Sequence, residues 1–172
     1  METNISEETK KKLSIIRGLN FFKPFTNDEI LMLLNECTWL KCNNGETIFQ
    51  EGNIDNSFYV ILKGSVSVRK KGAGVYNLAK IEAGECFGEM AVITGEQRSA
   101  DVVTNEESYI LKISANTLNR ESNSVELKLV QGKFYKIFSQ ILANRLTSTS
   151  NRIVSPNSDR IVSTGTSKWK RS

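Results

Sequence analysis

No histidine occurs in these 172 residues. That absence removes imidazole general bases, serine–histidine triads and most zinc sites together. The three cysteines, Cys37, Cys42 and Cys86, are odd in number and lack framework spacing, which argues against a secreted disulfide scaffold. The opening Met-Glu-Thr-Asn lacks the apolar stretch of a signal peptide. No apolar run approaches the roughly 18 residues of a membrane span. A cytoplasmic chain without a membrane span is therefore expected. Gly72-Ala-Gly74 lacks the lysine and helix context of a P-loop. With no nucleophile–base pair and no metal cluster legible, no enzyme is expected.

What remains is a globular composition, 39% hydrophobic and 24% charged, long enough to bury a core without disulfides or metals. From Thr147 onward the basic residues are Arg152, Arg160, Lys168, Lys170 and Arg171 against one acid, Asp159. The tail thus carries the whole net charge of +4, and the body is neutral. The body has no bias toward polyanions. A basic tail is open to nucleic acid or a membrane surface, but a solvated terminus is the simpler reading.

Residues 5–18 read as a helix with Leu13, Ile16 and Ile15 on its apolar side. Thr26 and Glu29 form a capping box ahead of a helix carrying Ile30, Leu33 and Leu34. From Trp39 to Ile113 the pattern is short β-rich runs at 38–41, 47–50, 58–63, 65–70, 75–81, 99–104 and 107–113. Turn signals separate them at Asn43-Asn44-Gly45, Glu51-Gly52-Asn53, Gly64, Gly72–Gly74 and Ala83-Gly84-Glu85. Many short strands at close spacing predict an antiparallel barrel or jelly roll. The run Phe87–Thr94 reads as one or two helical turns between strands. Phe134, Ile137, Phe138, Ile141, Leu142 and Leu146 make one apolar helical stripe, with a bend or hinge expected at Gly132. Residues 147–172 repeat Arg-Ile-Val-Ser twice and read as a polar, mobile tail.

The chemistry concentrates in residues 87–102. Gly88 opens the short helix, so amides can face an anion without side-chain obstruction. Glu89 follows it. Arg98 comes after a loop, directly before the small residues Ser99 and Ala100. A lone arginine with helix-start amides suits one phosphate. A carboxylate cannot bind that phosphate, but it can accept from a neighbouring sugar hydroxyl. The combination describes a ribose-phosphate pocket. Taken alone, Glu89 and Arg98 are also readable as a surface ion pair contributing ~0–1 kcal/mol. Cys86 reads as a redox thiol or as a small buried residue. Phe87, Tyr59 and Trp39 read as core or strand-surface residues, and Trp169 has no inferable role.

Phe87-Gly-Glu-Met-Ala-x-Ile-x-x-x-x-Arg98-Ser-Ala-x-Val102 resembles the phosphate-binding cassette of cyclic-nucleotide-binding domains, of the catabolite-activator and protein kinase A regulatory-subunit type. Gly45-Glu-Thr-Ile-Phe-Gln-Glu-Gly52 and Asp55-x-x-Phe-Tyr-Val-Ile-Leu-Lys-Gly64-Ser-Val resemble the β-roll glycine pattern of that family. The leading Phe21-Phe-x-x-Phe-Thr also fits, so the resemblance covers about residues 15–146. It implies a mainly β fold: an antiparallel β-roll or jelly roll with N-terminal helices, a short cassette helix and a long C-terminal helix. The expected layout is a helical segment at 1–18, a binding domain at 19–146 and the tail at 147–172.

The resemblance also implies roles. Glu89 would accept from the ribose 2′-hydroxyl and Arg98 would pair with the cyclic phosphate. Gly88, Met90, Ala91, Ser99 and Ala100 would line the ligand, while Gly45, Gly52 and Gly64 serve turns. The implied ligand is cyclic AMP or cyclic GMP, with cyclic AMP preferred and no other cofactor. In the family a hydroxyl beside the arginine can support guanine, and Ser99 supplies one. Serine there also accompanies cyclic AMP. The alternative is a degenerate member serving only for interaction or dimerisation. The expected partners are an effector on a separate chain and a second copy through the C-terminal helix. Asn144 and Arg145 are candidates to cover the base. Residues 147–172 are too short and polar for a helix-turn-helix, so sequence-specific DNA binding is not expected.

Overall fold

Strand β3, Ser57–Lys63, is buried at each of its first five positions, so the sheet it belongs to is covered on both faces. The period of two sends Tyr59 and Ile61 to one side and Phe58 and Val60 to the other. Tyr59 and Ile61 join Cys42, Phe49, Val66, Ile81, Phe87, Val102 and Ile110 in the interior of the roll. Phe58 turns outward, where its ring meets Phe21 and Phe134 on helical elements.

The computed structural model describes residues 6–35, 37–72, 74–115 and 124–154. Around β3 lie β1 (Cys37–Cys42), β2 (Thr47–Phe49), β4 (Ser65–Lys71), β5 (Val75–Glu82), β6 (Cys86–Phe87), β7 (Asp101–Thr104) and β8 (Ser108–Ser114). They form two antiparallel four-stranded sheets, ordered β1-β8-β3-β6 and β2-β7-β4-β5. That is the jelly-roll order, with the expected mainly β fold and flanking helices. Seven strands fall where the sequence pattern puts them. The eighth, β6, is two residues inside a turn-rich stretch, and only its pairing of Tyr59 with Phe87 and Val60 with Cys86 makes it a strand. Cys86 is fully buried there, as a small core residue.

Helix α1 (Glu7–Arg17) buries Ile16 but leaves Ile15 49% exposed, so Ile15 is not on its packed side. A 3-10 turn, Asn20–Phe22, leads to α2 (Asn27–Leu34). The Thr26–Glu29 capping box forms as expected: Glu29 N donates to Thr26 Oγ1 at 3.2 Å and Thr26 N donates to Glu29 Oε2 at 2.7 Å. The last helix, α4 (Val125–Val154), runs unbroken through Gly132, where a bend was expected. It also continues beyond Leu146. Glycine is a poor helix former, but a long helix with packed neighbours on either side absorbs that cost of ~1 kcal/mol.

The chain divides into two compact units between Tyr135 and Lys136. In the first, Phe134 is fully buried, with ring centroids 6.1 Å from Phe21, 4.7 Å from Phe25 and 5.2 Å from Phe58. In the second, Phe138 is buried while Leu146 is 70% exposed, so the apolar stripe ends before the helix does. The tail was expected over residues 147–172; residues 147–154 continue α4 instead, and the rest of that expectation, with Trp169, falls on residues 155–172, outside the described residues. Among the described residues no helix is long and apolar enough to cross a membrane.

Candidate functional site

The turn between β2 and β3 clamps Arg98 by its backbone. Arg98 N donates to Asn53 O at 2.9 Å, and Gly52 N donates to Arg98 O at 2.8 Å. The side chain is then drawn inward. Arg98 is 3% exposed, and its guanidinium carbon lies 4.2 Å from the centre of the Phe49 ring and 5.5 Å from that of Tyr59. Stacking of this kind is favourable for a desolvated guanidinium. A buried cation also needs acceptors. Nη1 donates to Gly88 O at 2.7 Å. Nη2 donates to Ser57 O at 2.6 Å and to Asp55 Oδ2 at 2.9 Å. Nε is buried and has no hydrogen-bond partner among the described residues.

Gly88 is where the cassette closes on this arginine. It lies in the left-handed region at φ +79°, directly before helix α3 (Glu89–Thr94). A Cβ there would stand 2.8 Å from Arg98 Nη1 and 3.2 Å from Tyr59 Cδ2. Position 88 therefore demands glycine twice, for its backbone angle and for the close approach of the guanidinium. Gly45, Gly52 and Gly64 also have positive φ, as turn glycines.

The other cassette residues divide by exposure. Glu89 is 1% exposed, and Ala91 and Ala100 are also buried, whereas Met90 and Ser99 are exposed. The surface-ion-pair reading of Glu89 and Arg98 fails, because both side chains are buried. Ser99 O accepts from Lys70 Nζ at 2.9 Å. Asn144 is exposed and Arg145 is half-buried, both on α4.

The structure adds residues whose part at the site sequence reasoning missed. Asp55 supplies a carboxylate to Arg98 from the connection into β3. Its Oδ2 also accepts from Tyr59 Oη at 2.7 Å and lies 3.5 Å from Lys112 Nζ. Desolvation by burial raises the Asp55 pKa, but hydrogen bonds from Tyr59, Arg98 and Ser57 and the charge of Lys112 outweigh it and hold the group at about 2. Burial, then the Asp55 carboxylate, push the Tyr59 phenol well above its usual range, so it stays a donor. Asp55 lies in the quoted glycine pattern, but no local signal tells that its partner is 43 positions away. Among the described residues no group of three or more Cys, Asp and Glu is arranged to hold a metal.

A jelly roll interrupted by one short helix, with a buried arginine donating to the carbonyl of the glycine that opens that helix, defines the class of fold. The comparison with known sequences makes the class specific. The chain matches the family profile described as "Cyclic nucleotide-binding domain" over residues 39–124 and belongs to that family. It is 29% identical over 118 residues to a cAMP-dependent protein kinase regulatory subunit of Blastocladiella emersonii, covering 67% of this chain and 29% of that one. It is 30% identical over 99 residues to a cGMP-dependent protein kinase of Plasmodium berghei, covering 58% of this chain and 11% of that one. The chain thus spans less than a third of these relatives. A solved cyclic nucleotide-binding domain from Methylobacillus flagellatus shares its fold, with a TM-score of 0.72, 23% identity, and coverage of 91% of this chain and 88% of that one.

Proposed function

We propose that this chain binds a cyclic nucleotide at residues 88–100 and serves as a ligand-responsive regulatory module with no catalytic step. Arg98 pairs with the cyclic phosphate and Glu89 accepts from the ribose 2′-hydroxyl. Gly88, Met90, Ala91, Ser99 and Ala100 surround the ligand. The observation that carries this reading is Arg98 Nε, a buried N–H with no hydrogen-bond partner among the described residues. Such a donor costs about 1–3 kcal/mol unless an acceptor reaches it. Cyclic AMP is the preferred ligand over cyclic GMP; both nucleotides appear in the names of the relatives. The output runs through a separate effector chain or a homodimer formed by α4, in the cytoplasm. The bound nucleotide can shift the module only by its differential affinity for two states.

Calorimetric titration with cyclic AMP and cyclic GMP tests this. Arg98→Ala is expected to lose ~2–5 kcal/mol, roughly 30- to several-thousandfold in affinity, by leaving a desolvated phosphate unpaired. Glu89→Gln is expected to lose less, since an amide oxygen still accepts. Equal binding by Arg98→Ala and the parent would remove the pocket from residues 88–100. One observation favours a second reading, an interaction domain that takes no nucleotide: Arg98 already has a carboxylate partner in Asp55. Absence of heat with either nucleotide would select that reading.

A further inference from the structure

Two successive peptide groups at the end of the cassette are each held by the carbonyl. Arg98 O accepts from Gly52 N at 2.8 Å, and Ser99 O accepts from Lys70 Nζ at 2.9 Å. We propose that Lys70 is a positioning residue of the site: by holding Ser99 O it sets the direction of the Ala100 N–H toward the bound anion. The proposal rests on the reading of residues 88–100 as the nucleotide site.

A peptide group is planar and trans, so its N–H points opposite to its C=O. The bond from Gly52 therefore turns the Ser99 N–H away from the β2–β3 connection. The bond from Lys70 turns the Ala100 N–H away from the lysine. The first anchor is backbone and outlasts a change of side chain. The second depends on one lysine. An ammonium on a carbonyl also polarises the peptide group, which makes its N–H a stronger donor.

Strand register brings Lys70 to this place. Val66 belongs to the interior cluster and Val68 packs against it, so Lys70, two positions on, lies on the interior-facing side of β4. Across the ladder Val68 aligns with Val102 and Arg69 with Asp101. Lys70 therefore comes level with the residues just ahead of β7, which are Ser99 and Ala100. Its charge has a partner as well: Nζ lies 3.0 Å from Glu51 Oε1. Glu51 adjoins Gly52, so both carbonyl anchors are tied to one turn. Lys71 supplies a control. It carries the same charge one position along, on the opposite face of the strand, and pairs with Asp101 Oδ2 at 3.2 Å.

Lys70→Met keeps the reach of the side chain and removes the ammonium. In calorimetric titration with cyclic AMP it is expected to weaken binding about tenfold, the scale of one charge-assisted hydrogen bond. Lys70→Arg is expected to stay within about threefold of the parent, and Lys71→Met within about twofold. A misdirected N–H is a fault of geometry, so the Lys70→Met loss should persist in ~0.5 M potassium chloride, where attraction between separated exposed charges is screened. Unchanged binding by Lys70→Met overturns the proposal. So does an equal loss in Lys71→Met, or a loss that vanishes in salt, because Lys70 would then act only as a distant attracting charge. A second arm needs no nucleotide. In the free protein, Lys70→Met is expected to move the Ala100 amide resonance while leaving those of Val60 and Ile110 in place. An unmoved Ala100 resonance overturns the positioning role. If neither cyclic AMP nor cyclic GMP binds the parent and the Ala100 resonance still moves, the nucleotide reading falls and Lys70 retains its hold on the Ala100 peptide.

Discussion

Gly88 and Arg98 are adjacent in space because one lacks a side chain. Gly88→Ala is expected to cost ~2 kcal/mol or more, combining left-handed backbone strain with displacement of a buried guanidinium. Gly95 provides the control. It also has positive φ, +71°, but nothing lies within 4 Å of a Cβ there, so Gly95→Ala should cost only the backbone share, ~1 kcal/mol. Urea midpoints of the two variants check the difference, and equal losses would mean that the Arg98 contact is soft. Asp55 makes a pH prediction. Its folded pKa, about 2, lies below the ordinary 3.8, so the unfolded chain binds the proton more readily. The stability it contributes is complete above pH 3.8 and is lost as pH falls toward 2. Acid titration of the melting temperature should therefore fall less steeply for Asp55→Asn over that window than for the parent. Parallel curves would show that the Asp55–Arg98 pair gives no net stability.

Helix α2 is set by a single side chain used twice. Glu29 closes the capping box on Thr26, and its carboxylate accepts from Lys133 Nζ at 2.7 and 2.6 Å. Desolvation raises the Glu29 pKa, but the Lys133 and Thr26 hydrogen bonds prevail and hold it below the usual range. Thr26→Ala is expected to cost about 1 kcal/mol, as cap losses do, measured by chemical denaturation. An unchanged midpoint would mean that Lys133 alone fixes this helix start. The capping box was readable from Thr26 and Glu29 because it depends on a spacing of three. The Lys133 contact was not, because it joins positions 104 apart. Strand β6 was unreadable for the same reason: two residues carry no period, and their partners lie on β3.

Across the entire fold, one aromatic cluster ties the N-terminal turn to the outer face of β3. Phe134 stands at its centre, fully buried against Phe21, Phe25 and Phe58. Phe134→Ala should cost ~3–5 kcal/mol through lost contacts and a residual cavity. For a chain of this size that lowers the melting temperature by about 10 °C. A shift under a few degrees in calorimetry would mean that the surrounding rings collapse to fill the space. The interior of the roll does not touch this prediction, since Phe58 faces the cluster while Tyr59 faces Arg98.

Strand periodicity, turn glycines, the capping box and the order Gly-Glu…Arg were all present in the linear chain. They determine a jelly roll interrupted by a short glycine-opened helix, because each depends on residues within a few positions of one another. The identity of the arginine's counter-ion was not present there. Asp55, Ser57, Phe49 and Tyr59 converge on Arg98 from two different strands and the connection between them, and a contact between distant positions leaves no periodic trace. Burial, too, came only with the assembled sheets. A carboxylate and a guanidinium look alike in sequence whether water covers them or a packed aromatic ring does, and that difference decides which partners each must find inside the fold.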